Sequence, residues 1–267
     1  MNKTVFEVIQ ENAEALKLDL SEKELAVFAD DHELTPEQLE SIKELFNYLA
    51  RKKQDKIIST LLRLSRLPDK QPKTFDNFDF SHLRGKQVDR LKSLQSLSPV
   101  YSHKNLAFIG PQGVGKTHLA MAFGYECCQR GMKTYFLKAT ELNQKFTEAR
   151  RRGREGAVIN GLVKPSCLII DEIGRCVFDR DNTQMFFDVI DRRYAKNGPN
   201  TIIFTSNKSA HQWKEFFRED DDLLCALDRA FDDATVFMFK GTSYRGRKLE
   251  TIPIQAGELK PVTDKQL

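Results

Sequence analysis

Gly110-Pro111-Gln112-Gly113-Val114-Gly115-Lys116-Thr117 sets glycines, a lysine and a hydroxyl at the spacing G-x-x-x-x-G-K-T. Glycines let a backbone turn tightly and aim successive N–H groups at an anion. Lys116 can then reach the β- and γ-phosphates of a nucleoside triphosphate, and the Thr117 hydroxyl can hold Mg²⁺. His118 continues the same stretch and is counted with the nucleotide-binding residues. About 55 residues on, Cys167-Leu168-Ile169-Ile170-Asp171-Glu172 is an apolar run ending in two carboxylates. Asp171 can share the metal with Thr117, while Glu172 can orient and polarise a water for attack on the γ-phosphate. A third apolar run, Thr201-Ile202-Ile203-Phe204-Thr205-Ser206-Asn207, ends in small polar groups, with Asn207 suited to hold that water or the γ-phosphate. The chemistry is ATP binding and hydrolysis. Phosphoryl transfer to a small acceptor is disfavoured by Glu172 beside Asp171.

These groups meet only if strands carry them to one edge of a sheet. Strands are expected at 105–109, 133–137, 167–170, 201–205 and 235–239, with helices at 117–130, 139–150, 182–196, 210–217 and 223–231. Strands separated by helices predict a parallel sheet covered on both faces, an α/β three-layer αβα fold. Ligands then collect at the carboxyl ends of the strands. Phe75, Phe78 and Phe80 could pack near an adenine there, although core filling is the commoner fate of such residues.

Upstream the chain reads as helices. Ser21-Glu22-Lys23-Glu24 and Thr35-Pro36-Glu37-Gln38 fit the capping-box pattern, the second with Pro at the first helical position. Leu39, Ile42, Leu45, Phe46 and Leu49 recur at helical spacing, prolonged by Ile57, Leu61 and Leu64. Pro68 and Pro72 break that pattern. The domains expected are therefore a helical unit at 1–68, an ATPase domain at 73–250 and a tail at 251–267.

Charge divides along the same line. Residues 1–48 hold twelve acids and four bases, net −8, so the remaining 219 residues carry +12 of the overall +4. Eight bases (Arg51, Lys52, Lys53, Lys56, Arg63, Arg66, Lys70, Lys73) against two acids fill 51–73. Arg150, Arg151, Arg152 and Arg154 form another basic group, with Arg150 and Arg154 expected on one helix face at i, i+4. An acidic head suits a protein partner and a basic body suits the phosphates of DNA. The 267 residues contain no apolar run of membrane-span length. The five cysteines have no metal spacing and read as reduced thiols, so the expected setting is cytoplasmic, away from membranes.

Taken together, the motifs resemble the IstB/DnaC group of AAA+ P-loop ATPases. The matching stretches are Lys73 to Phe80, Gly110 to Ala120, Leu168 to Gly174, Thr205-Ser206-Asn207, Leu227-Asp228-Arg229 and Gly241 to Arg245. They span roughly residues 73–247, and their wording resembles the IstB-type transposition helpers in particular. The resemblance implies a homo-oligomer, as a ring or helical filament on DNA, with a transposase as partner. The alternative it implies is a loader of a replicative helicase. It also implies that Arg229 is an arginine finger completing a neighbour's ATP site, and that Arg245 touches the phosphates as sensor 2. The basic group at 150–154 would face DNA. With 22 residues after Arg245, a reduced C-terminal lid is expected.

Overall fold

The computed structural model describes residues 3–217, 230–232, 234–241 and 243. Three helices form the N-terminal head: α1 (Val5–Leu16), α2 (Glu22–Asp31) and α3 (Pro36–Ser65). Both expected capping boxes are present, and Thr4 with Glu7 makes a third at the start of α1. In each, a hydroxyl accepts from one orphan N–H of the first turn and an acid or amide reaches back to another. Ile9, Ala13, Leu25 and Ala29 are the buried side of α1 and α2. They pack on the first half of α3, where Asn12 Nδ2 also donates to Asn47 Oδ1 at 2.7 Å.

At 30 residues, α3 is about 45 Å long. Its last turns rest on the sheet-bearing body: Ser65 is buried, Leu67 packs into the body's core, and Arg66 pairs with Glu141 at 3.2 Å. The break expected after residue 68 therefore follows the end of α3, although its last turns pack on the body. The apolar stripe along this helix is covered only in part. Leu45 (54%), Ile57 (40%) and Leu64 (51%) stay exposed.

The body starts with two short helices, α4 (Val88–Lys92) and α5 (Ser98–Tyr101). It then alternates β1 (Leu106–Ile109), α6 (Lys116–Gln129), β2 (Thr134–Lys138), α7 (Ala139–Arg151), α8 (Glu155–Val163), β3 (Cys167–Ile173), α9 (Arg180–Tyr194), β4 (Thr201–Ser206) and β5 (Thr235–Met238). All pairings are parallel, in the order β2-β3-β4-β1-β5. Side chains alternate between two cores. Leu106, Phe108, Ile169 and Ile203 face α6 residues such as Leu119 and Phe123. Ala107, Ile109, Leu168, Ile170 and Phe204 belong to the other core, with residues of α7, α8 and α9. This is the expected three-layer α/β fold.

Two elements depart from expectation. α8 was not expected, because Gly156, Asn160 and Gly161 are poor helix formers; Ile159 and Leu162, buried in the core, stabilise it through tertiary packing. The helix expected at 210–217 is a 3-10 helix, Ala210–Phe216. Most of the helix expected at 223–231 lies outside the described residues. Among the described residues no helix is long and apolar enough to cross a membrane.

Candidate nucleotide site

The strand order explains why distant motifs meet. β4 lies between β1 and β3. Its carboxyl end therefore separates the glycine-rich loop after β1 from the carboxylates of β3. Gly110 N–H donates to Ser206 O at 3.1 Å, tying the loop to β4. Gly115 has φ +98°, a left-handed conformation, and a Cβ there would come within 2.6 Å of the Phe78 ring. Glycine at 115 thus answers both backbone and packing demands. Phe75 and Phe78 are core residues, the commoner fate of such aromatics.

Lys116 opens α6 and is only 7% exposed. Its Nζ donates to Gly110 O (2.8 Å), Pro111 O (2.6 Å) and Asn207 Oδ1 (2.8 Å). With its oxygen turned to Lys116, the Asn207 amide presents its NH₂ as a donor. The lysine and the end of β4 are therefore one unit, 91 positions apart in sequence.

Asp171 is buried and accepts from Thr117 Oγ1 at 2.8 Å and from Thr205 Oγ1 at 2.5 Å. Burial pushes its carboxyl above the ordinary value, although both hydroxyl bonds favour the ionised form. A hydroxyl and a carboxylate this close are the hard oxygens that Mg²⁺ takes together with phosphate and water. Among the described residues no group of three or more His, Cys, Asp or Glu gathers to hold a metal without a phosphate.

Glu172 sits in a break of the β3–β4 register between Ile170 and Ile173, with φ +60°. A non-glycine residue in that region costs about 1–2 kcal/mol. The Glu172 N–H donates to Thr205 Oγ1 at 2.9 Å. Thr205 thus anchors both carboxylate-bearing residues, a role not assigned from sequence although the Thr205-Ser206-Asn207 triplet flagged the position. Two further groups were missed. Arg175 Nη1 lies 2.7 Å from Glu172 Oε1, and Lys138 Nζ lies 3.7 Å from Oε2. Lys138 comes from the neighbouring strand, in register with Asp171. Desolvation works upward on Glu172, but the Arg175 bond and the Lys138 charge outweigh it and hold the carboxyl below its ordinary value. Removing Arg175 should therefore raise this pKa. If Glu172 is the base, the acid limb of kcat for ATP hydrolysis in Arg175→Ala moves to higher pH. An unmoved limb would detach Arg175 from the reacting carboxylate.

Several expected residues take other roles. His118 turns to the 73–80 segment, with Nε2 2.9 Å from Thr74 O and its ring edge-on to Phe78 at 5.1 Å. Burial holds its imidazole below the ordinary value, so it is neutral at pH 7 and links that segment to α6. The arginine group does not act as one. Gly153, at φ +61°, separates α7 from α8, so Arg150 and Arg154 are not on one helix face. Arg150 pairs with Asp179 at 2.6 Å and with Asp181. Arg154 lines a groove beside β2, leaving Arg151 and Arg152 exposed at the turn. Arg229 and Arg245 lie outside the described residues.

A family model described as IstB-like ATP binding protein matches residues 12–251. A relative from Geobacillus stearothermophilus, named for insertion sequence IS5376 and for ATP binding, is 40% identical, over 73% of this chain and 76% of its own. One from Bacillus thuringiensis, named for insertion sequence IS232 and for ATP binding, is 31% identical over 91% and 96%. Among solved structures, the fold is similar to the DnaC helicase loader (TM-score 0.51, 18% identity, 63% of this chain and 97% of that one). It is also similar to AMPPCP-bound DnaA from Aquifex aeolicus (TM-score 0.52, 20% identity, 66% and 51%). The chain belongs to the IstB-like ATP binding protein family and shares its fold with DnaC and DnaA.

Proposed function

We propose that this protein uses Mg²⁺-ATP to assemble on DNA and so serves a transposase as its helper. The observation carrying this reading is the joining of three separately encoded segments at one sheet edge. Lys116 is bonded to Asn207, and Thr117 and Thr205 to the same oxygen of Asp171.

On ATP binding, Lys116 exchanges the carbonyls of Gly110 and Pro111 for β- and γ-phosphate oxygens. Thr117 and Asp171 would hold Mg²⁺, whose charge offsets that of the phosphate oxygens. Glu172 orients a water in line with the γ-phosphate and draws off its proton, while the Asn207 amide donates to that water or to a γ-oxygen. Arg229 and Arg245 keep the roles implied by resemblance: a finger reaching into the neighbour's site, and a contact to the phosphates. A guanidinium matches spread phosphoryl charge with a planar fork. Hydrolysis then depends on assembly. The insertion-sequence names of the relatives support a transposase as partner over a helicase.

DNA contact falls to Arg151 and Arg152, which stand exposed at the turn after α7. Phosphate contact without base reading is expected, because no aromatic residues interleave with these arginines. For Arg151→Glu with Arg152→Glu, the slope of log affinity against log salt should flatten by roughly 0.9 for each duplex phosphate left without its cation. An unchanged slope would put the DNA elsewhere. Arg150→Glu belongs to a different class, since it strands Asp179 and Asp181 and should lower thermal stability.

A further inference from the structure

The acidic head carries a surface that its own fold covers only in part. In α2, Leu25 and Ala29 face inward. Glu24, Val27, Phe28 and Asp31 stand at i, i+3, i+4 and i+7, the spacing of one helix face; Val27 and Asp31 point outward, and Glu24 and Phe28 form the lip of a groove whose inner wall is Ile9, Leu39, Ile42 and Phe46. Val27 is 59% exposed and Phe28 47%. This stripe is acidic at both ends and apolar in the middle, and Glu22 and Asp30 flank it.

A surface of the opposite kind lies on the body. Beside the edge strand β2, a groove of about 450 Å³ has an apolar floor of Leu64, Tyr135, Val158 and Leu162. Lys133, Lys145 and Arg154 form its rim. No ion pair engages these three cations among the described residues, whereas nearby Arg66 and Glu141 satisfy each other. Apolar floor faces apolar stripe, and unpaired cations face surplus acids. A chain's own head cannot supply the occupant. The head packs on the first half of α3, whereas Leu64 lies in the last turn of that continuous helix, roughly 25 Å further along at about 1.5 Å per residue.

We propose that the Glu24–Val27–Phe28–Asp31 stripe of one copy docks in the groove around Leu64, Tyr135 and Val158 of the next. The two surfaces differ, so the contact is head-to-tail and propagates along a ring or helical series. It adds a second joint between copies, remote from the nucleotide, and rests on the reading that this protein assembles.

Charge exchange tests it in the full-length protein. Asp30→Lys with Asp31→Lys reverses the stripe, and cations at the end of α2 agree with the helix dipole. Lys133→Glu with Lys145→Glu reverses the rim and leaves Arg151 and Arg152 intact. Sedimentation with Mg²⁺-ATP, with and without duplex DNA, should show self-association weakened about tenfold or more by either pair alone, as losing about 1.4 kcal/mol would do. Combining both pairs in one chain should restore most of it, with ATP affinity unchanged throughout as the check on folding. Wild-type association in either single pair would overturn the proposal. So would failure of the combined chain to recover, which would hand the groove to a different partner. A wild-type protein monomeric under all these conditions would instead sink the assembly reading beneath it.

Discussion

Lys116→Ala should weaken ATP binding about 10- to 100-fold, the worth of one charged hydrogen-bonding group directed at phosphate. Lys116 brings an ammonium bonded to two carbonyls of the loop, and alanine cannot replace it. The change removes one donor from three acceptors: Gly110 O, Pro111 O and Asn207 Oδ1. A modest loss of stability should accompany it, because those oxygens lie at a sheet edge that water can reach. Lys116→Arg should not rescue fully, since a planar fork does not reproduce a compact ammonium. Calorimetric titration reads the effect directly. Unchanged affinity in a folded Lys116→Ala protein would remove the lysine from the phosphate site.

Glu172→Gln should leave ATP binding nearly intact and slow hydrolysis by about 10²–10⁴-fold, the usual contribution of a positioned general base. The amide keeps the size and one acceptor of the carboxylate, so the backbone bond to Thr205 and the break in β3 persist. What disappears is the capacity to accept a proton. Affinity and turnover should therefore separate, which a structural lesion would not achieve. Normal turnover would place the base on another residue. The strained φ of Glu172 and the Arg175 and Lys138 contacts would then have a structural purpose alone.

The chemistry legible in the sequence was chemistry encoded locally. The loop at 110–117, Asp171-Glu172 after an apolar run, and Asn207 after another each declare themselves within a few residues. The alternation of strands and helices pointed to the layered sheet, because buried parallel strands read as short apolar runs. What stayed hidden depends on strand order. That Thr205 would bond Asp171 follows from β4 lying next to β3. That Lys138 would approach Glu172 follows from β2 flanking β3 on the other side. Arg150 looked like a free cation because its acids, Asp179 and Asp181, lie about thirty residues away. His118 looked like a nucleotide neighbour because it follows Thr117, yet successive helical residues point in different directions. α8 was concealed by two glycines whose cost tertiary packing offsets.

The proposed function requires ATP, DNA and assembly to be linked through the cluster of Lys116, Asp171, Glu172 and Asn207. The most direct measurement is the mass of particles formed by Glu172→Gln protein with Mg²⁺-ATP and duplex DNA, with ATP and DNA each withheld in turn. Large multi-protomer complexes that need both, and that dissolve at high salt, are predicted. Single protomers under every condition, or complexes indifferent to ATP and to DNA, would contradict it.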